Sequence, residues 1–147
     1  MGYNTALTEW PSLAVPQAAK DLIDKLFATM DLNNPRAGDI LADEIFTVDG
    51  LIDGRHKAQG SEALRRCRDN AWMAIQSRKH ELLKVYVSSE TCEDILAIGQ
   101  VTIGYKNGEK KIGEFIARLV IHQPQSADTK LKLYKVWMDI AAMQKIE

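Results

Sequence analysis

Cysteine occurs only twice in these 147 residues and proline only four times. Cys67 and Cys92 each stand alone, at no spacing that suits a metal site or a redox pair. They read as two buried thiols in a reducing compartment. Charge of one sign is also lacking. Lysine and arginine total 19 against 20 aspartates and glutamates, a formal net charge of −1. No global basic field is left to hold nucleic acid or anionic lipid. No apolar run approaches the roughly 18 residues of a membrane span. The first residues lack the basic and apolar regions of a secretory signal. Met1-Gly2 opens like a myristoylation site, but Ala6 stands where Ser or Thr is required. A glycine-rich phosphate loop, a His-Glu-x-x-His pattern and a serine nucleophile elbow are all missing. The expectation is a cytoplasmic protein that uses no cofactor and no metal and has neither nucleic acid nor membrane as partner.

What is present suits one ordinary globular domain. Hydrophobic residues make up 46% and charged residues 27% of the chain, and this length buries enough surface to need no covalent staple. Residues 1–13, polar and bounded by Pro11 and Pro16, read as an N-terminal arm, leaving 14–147 as a single domain. Leu22, Ile23, Leu26, Phe27 and Met30 recur at three- and four-residue steps and predict a helix from Pro16. Asn33-Asn34-Pro35 ends it. A short helical segment is expected around 37–44 and a strand over 45–49. Gly50, Gly54 and Gly60 mark turns, and Ser61-Glu62 opens a second long helix carrying Leu64, Cys67, Ala71, Trp72 and Ile75. From about residue 78 the chain reads as strand: 80–88, 95–105, 111–122 and 131–141, with Asn107-Gly108 as a hairpin turn. Early helices followed by consecutive strands imply an α+β domain with a curved, mostly antiparallel sheet wrapped around N-terminal helices. Long apolar strands suggest that the outer sheet face is covered as well, most simply by a second copy.

Leu41-Ala42-Asp43-Glu44-Ile45-Phe46-Thr47-Val48-Asp49-Gly50 resembles the first-strand segment of SnoaL-like and ketosteroid-isomerase-like proteins, of the nuclear transport factor 2 (NTF2-like) superfamily. Gly60-Ser61-Glu62-Ala63-Leu64 resembles the helix start that follows there. Tyr134-Lys135-Val136-Trp137-Met138-Asp139 is similar to the closing strand, where tryptophan and aspartate often lie two apart. The element order matches over nearly the whole chain, most like small SnoaL-like enzymes of fungal secondary metabolism. The resemblance implies a cone-shaped fold, a homodimer and a cofactor-free acid/base enzyme acting on a hydrophobic polyketide- or terpenoid-type molecule. Epoxide hydrolysis or ring closure, cyclisation and isomerisation all fit. The alternative is a non-catalytic binding or interaction module, with the cone filled by side chains.

Asp49, by this register, falls where ketosteroid isomerases keep a general-base aspartate, although Asp-Gly is also an ordinary turn. Asp139 stands where limonene-epoxide-hydrolase-like members place a catalytic aspartate two residues after a tryptophan. By strand period it shares a face with Trp137, Lys135 and Leu133. Arg118 could orient Asp139 or polarise a substrate oxygen, or equally pair with Glu114 on its own face. Gln100, Thr102, Glu114, Trp137, Tyr86 and His56 are the expected substrate contacts. His80, beside Arg78 and Lys79 at a strand start, receives no role. Two departures bear on mechanism. Gln100-Val101-Thr102 replaces the Arg-x-Asp of limonene-epoxide-hydrolase-like enzymes. Leu26-Phe27 and Phe115 occupy the regions of the ketosteroid isomerase tyrosine and protonated acid.

Overall fold

A computed structural model describes residues 2–147. Helix α1 (Gln17–Met30) turns Leu22, Ile23, Leu26 and Phe27 inward, all buried, as the periodicity requires. Each such side chain contributes about 1.5–3 kcal/mol of burial free energy. Helix α2 (Ala37–Ile40) runs into a wider π-type turn, Leu41–Ile45, and then into strand β1 (Phe46–Asp53). Strand β2 (Lys57–Gln59) hairpins back on β1 and leads to helix α3 (Ser61–Arg66). A Cβ on Gly38 would lie 1.9 Å from the Arg65 carbonyl oxygen, so only glycine allows α2 to press against α3.

The remaining strands are β3 (Ile75–Val87), β4 (Asp94–Tyr105), β5 (Lys110–His122) and β6 (Lys130–Trp137), with a short β7 (Gln144–Lys145). The sheet order is β2-β1-β6-β5-β4-β3, with β7 on β5. β6 pairs antiparallel with β5 and parallel with β1. Asn107-Gly108 makes the expected β4–β5 hairpin, with Gly108 at φ 92°. Ile95, Ala97 and Val101 of β4, and Phe115, Ala117, Leu119 and Ile121 of β5, are buried inside the curve. Alternate residues face outward. This is the α+β cone that the sequence implies.

Besides β1 running on to Asp53 and β3 starting at Ile75, two features differ from expectation. α3 stops at Arg66 instead of continuing through Ile75. Residues 67–74 turn back on themselves through backbone bonds such as Ala71 N–H to Arg68 O (3.1 Å). Asp69 and Asn70 are residues whose short polar side chains favour such turns over helix. β6 ends at Trp137, not at 141, because the Asp139 side chain accepts from Ala141 N–H (3.0 Å) and starts a 3-10 turn. The N-terminal arm is docked on the sheet. Asn4 and Thr5 are buried, and backbone bonds from Leu82 to Asn4 (3.0 Å) and from Glu9 to Leu83 (2.9 Å) lay it along β3.

Candidate active site

Between the helices and the concave face lies an open cavity of about 1370 Å³. At its buried end His80 of β3 lines the wall with Phe115 of β5 and Tyr134 of β6, which are 3% and 2% exposed. The strand pattern explains the histidine. β3 begins at Ile75, and Arg78 and His80 line the cavity while Leu82, two residues on, is fully buried.

His80 is held from one side by Asp31, the residue that ends α1 one turn after Phe27. His80 Nδ1 lies 2.5 Å from Asp31 Oδ1, and the His80 backbone N–H donates to Asp31 Oδ2 at 2.7 Å. The Asn4 amide donates to Asp31 Oδ2 and to the His80 carbonyl, each at 2.8 Å. The side chains of His80 and Asp31 are 12% and 8% exposed. A carboxylate oxygen accepts, so opposite Asp31 Nδ1 is the donor of the imidazole and, in the neutral ring, Nε2 carries the lone pair. The imidazole is wedged between Phe27 and Phe115, with ring centroids 5.3 and 5.6 Å away. Its tautomer and its orientation are thus both set by neighbours.

Two arginines complete the wall. Arg68 donates to the Met30 carbonyl (2.7 Å), and Arg78 donates to the Ala71 carbonyl (3.2 Å) while stacking 4.9 Å from the Trp72 ring centroid. Burial lowers the pKa of both. Arg78, also repelled by Arg68, is pulled down to about 10. Burial likewise pushes the Tyr134 phenol well above its ordinary range, so it remains a neutral hydroxyl. The Cys67 thiol, on the same wall, is pushed up by burial and stays protonated at neutral pH. No group of three or more histidine, cysteine, aspartate or glutamate side chains among the described residues is placed to hold a metal ion.

The residues singled out from sequence scatter. Asp139, Trp137, Glu114 and His56 border the cavity toward its exposed end. Asp49 does not reach it. It is exposed and accepts from the Thr47 hydroxyl at 2.9 Å, so the two aspartates do not share the pocket. Arg118 faces outward and grips Asp94 with two bonds (3.0 and 2.8 Å), orienting neither Asp139 nor a cavity ligand. It pairs across the β4–β5 ladder because both residues are on the outer face, and Glu114 is not its partner. Gln100 reaches Glu81 at 3.5 Å, and Gln100, Thr102 and Tyr86 are outside the cavity lining. His80 and Asp31 are the pair that the sequence reading misses. Placing the strand start at His80 hid the Arg78-x-His80-x-Leu82 alternation, which is the signal that could have found them.

A curved sheet closed over α1, with a cavity at its open end, is the NTF2-like α+β cone, as the sequence resemblance implied. Solved structures share it. One is the hexachlorocyclohexane dehydrochlorinase LinA-type3 of Novosphingobium barchaimii LL02, at 14% identity and TM-score 0.66 over 88% of this chain and 88% of that chain. A second is SalBIII, an epoxide hydrolase/cyclase-like enzyme in pyran ring formation in the polyether salinomycin (12%, TM-score 0.66, 88% and 97% covered). A third is a protein of ketosteroid isomerase-like fold from Catenulispora acidiphila DSM 44928, in complex with trimethylamine (12%, TM-score 0.65, 83% and 88%). At such identities the likeness shows the fold alone. No protein-family model matches the chain, and no curated protein matches it in sequence. No helix among the described residues is long and apolar enough to cross a membrane.

Proposed function

We propose that the chain is a cofactor-free acid/base enzyme in which His80 Nε2 takes a proton from an apolar small molecule and Asp31 steadies the imidazolium that forms. The observation that carries this reading is a nearly buried His–Asp pair at the inner end of an otherwise largely apolar cavity. A histidine whose second nitrogen is fixed by a carboxylate is a general base with a defined lone pair. Elimination, double-bond shift and base-triggered ring closure or epoxide opening each begin with such a step. A dehydrochlorinase and an epoxide hydrolase/cyclase-like enzyme on the same fold support the class. The substrate is a hydrophobic metabolite of polyketide or terpenoid type, with Trp137, Glu114, His56 and Asp139 as contacts toward the mouth. The volume of the cavity favours this over the non-catalytic module, which calls for a filled cone.

The test is turnover by His80→Gln, whose fold is checked by circular dichroism, on a panel of epoxides, β-halogenated compounds and cyclisation precursors. Loss of about 10²–10⁴-fold is expected. Unchanged turnover of a substrate used by the wild type refutes the assignment.

We also propose a homodimer through the outer sheet face. Tyr86, Leu96 and Ile116 are 46–48% exposed there, and Tyr86 and Leu96 are direct cross-strand partners. Sedimentation is expected to give a dimer at micromolar concentration and Ile116→Glu to give a monomer. A monomeric wild type refutes it.

A further inference from the structure

The cavity carries more positive charge than its chemistry as a proton-transfer site needs. Five arginine and lysine side chains line it against two carboxylates, Glu114 and Asp139, although the whole chain has a net charge of −1. Two of the five are set deep. Arg68 Nε and Arg78 Nη1 are buried without a hydrogen-bond partner among the described residues. Each guanidinium makes one bond to a backbone carbonyl and leaves the rest of its donor fork free.

A buried, unpaired donor on a charged group is costly, and two neighbouring cations add repulsion to that cost. Asp31 favours both cations through space but bonds to neither guanidinium. Its oxygens already receive the His80 ring, the His80 backbone N–H and the Asn4 amide. Neutral water could occupy single donors but adds no countercharge, leaving one carboxylate, Asp31, to face two cations. An anion held against the two guanidiniums supplies countercharge and charge-assisted acceptors. The aliphatic and aromatic wall beside Arg78, with Ile103, Phe115 and Tyr134, suits an anion attached to an apolar body.

We infer that Arg68 and Arg78 form an anion subsite beside His80, and that the molecule bound in this cavity is an apolar carboxylate anchored by its carboxyl group. The inference builds on the catalytic cavity proposed above and names the substrate's handle. Arg55, Lys57 and Arg66, which also line the cavity, add an attractive field for such a ligand.

Calorimetric titration with naphthalene-2-acetate and with its isosteric primary amide tests it. Wild-type protein is expected to bind the carboxylate about 10–100-fold more tightly, the range of one or two charge-assisted bonds. Arg78→Met is expected to remove most of that preference while leaving amide affinity unchanged. Because this variant also uncovers Trp72, Arg78→Lys serves beside it, keeping the charge and losing the fork, with a preference between the two. In the wild type, the Arg68 Nε–H resonance is expected to move on adding the carboxylate and not on adding the amide. Equal affinities for the two ligands, or a preference that survives Arg78→Met with the Arg68 resonance unmoved, overturn the subsite. His80→Gln keeps these outcomes separate from the catalytic reading. Preserved carboxylate preference with preserved turnover refutes the base alone, whereas absent preference with His80-dependent turnover refutes the subsite alone.

Discussion

Replacing Asn4 by alanine perturbs the dyad without touching either of its members. The Asn4 amide is 1% exposed and spends both N–H donors on the site, on Asp31 Oδ2 and on the His80 carbonyl. Its own Oδ1 is buried without a partner. Turning the amide over would bring that oxygen against the Asp31 carboxylate, so the orientation is dictated by charge. A bond to a charged acceptor contributes about 1.5–3 kcal/mol and a neutral one about 0.5–1.5 kcal/mol. Removing the orphaned Oδ1 returns about 1 kcal/mol of desolvation cost. The net destabilisation of Asn4→Ala is therefore about 1–3 kcal/mol, a fall of about 3–10 °C in Tm for a domain of this size. Urea unfolding measures the first and calorimetry the second. Combining it with Asp31→Asn in a double-mutant cycle isolates the shared bond, and a coupling of at least about 1 kcal/mol is expected. Activity is expected to fall in kcat more than in KM, because the ring loses its alignment and the pocket keeps its shape. If Asn4→Ala unfolds within about 0.5 kcal/mol of wild type, as exposed sites do, the N-terminal segment does not hold the dyad and the reasoning fails.

Asp49→Asn and Arg118→Ala, both at exposed outward positions, are expected to leave turnover within about twofold and stability within about 0.5–1 kcal/mol. A large loss of activity in Asp49→Asn would reinstate the ketosteroid-isomerase-like register. Arg65 beside Asp43, Lys25 beside Glu44 and Arg118 beside Asp94 hold these carboxylates below their ordinary values. Their contribution is complete above the unfolded-state values of 3.8 and 4.5 and is lost as pH falls through the depressed folded values. The urea midpoint is therefore expected to be insensitive to these pairs from pH 6 to about pH 8 and to fall below about pH 4.5. Added salt is expected to shrink their part of that acid loss, because all three pairs are solvent-exposed.

The fold was legible because its signals are local and repeated. The Leu22–Phe27 face needs only a 3.6-residue period, and Asn107-Gly108 needs only the left-handed tolerance of glycine. The site depends on facts with no local signature. Asp31 and His80 lie 49 positions apart, and their meeting depends on where β3 starts. The apolar positions through Ile75 suit a helix, and the turn that Asp69 and Asn70 favour at 67–74 is fastened by Arg78 to the Ala71 carbonyl and by Arg68 to the Met30 carbonyl. Strand alternation sets Asp139 on a face with Trp137, the resemblance gives it a catalytic place, and it does border the cavity. The strand nevertheless ends two residues earlier, so its side chain caps a turn. Arg118 shows the reverse: it turns outward to Asp94, while Glu114, four residues earlier on the same strand, borders the cavity.

The position of β6 also constrains the order in which the molecule can assemble. β6 is the last long strand, yet it lies between β1 and β5 and, among the described residues, is the only strand joining β2-β1 to the rest of the sheet. Until residues 130–137 insert, β1 presents a bare edge, and the Tyr134 face of Phe27 has no counterpart. The pairing of Phe46 with Leu131 closes a loop of more than half the chain, which places folding among the slower, high-contact-order classes. During synthesis the helices and the β3–β4–β5 meander can form first, while the cavity acquires its floor only at the final step. Loss of β6 pairing would thus leave a sticky, open sheet instead of a smaller working domain.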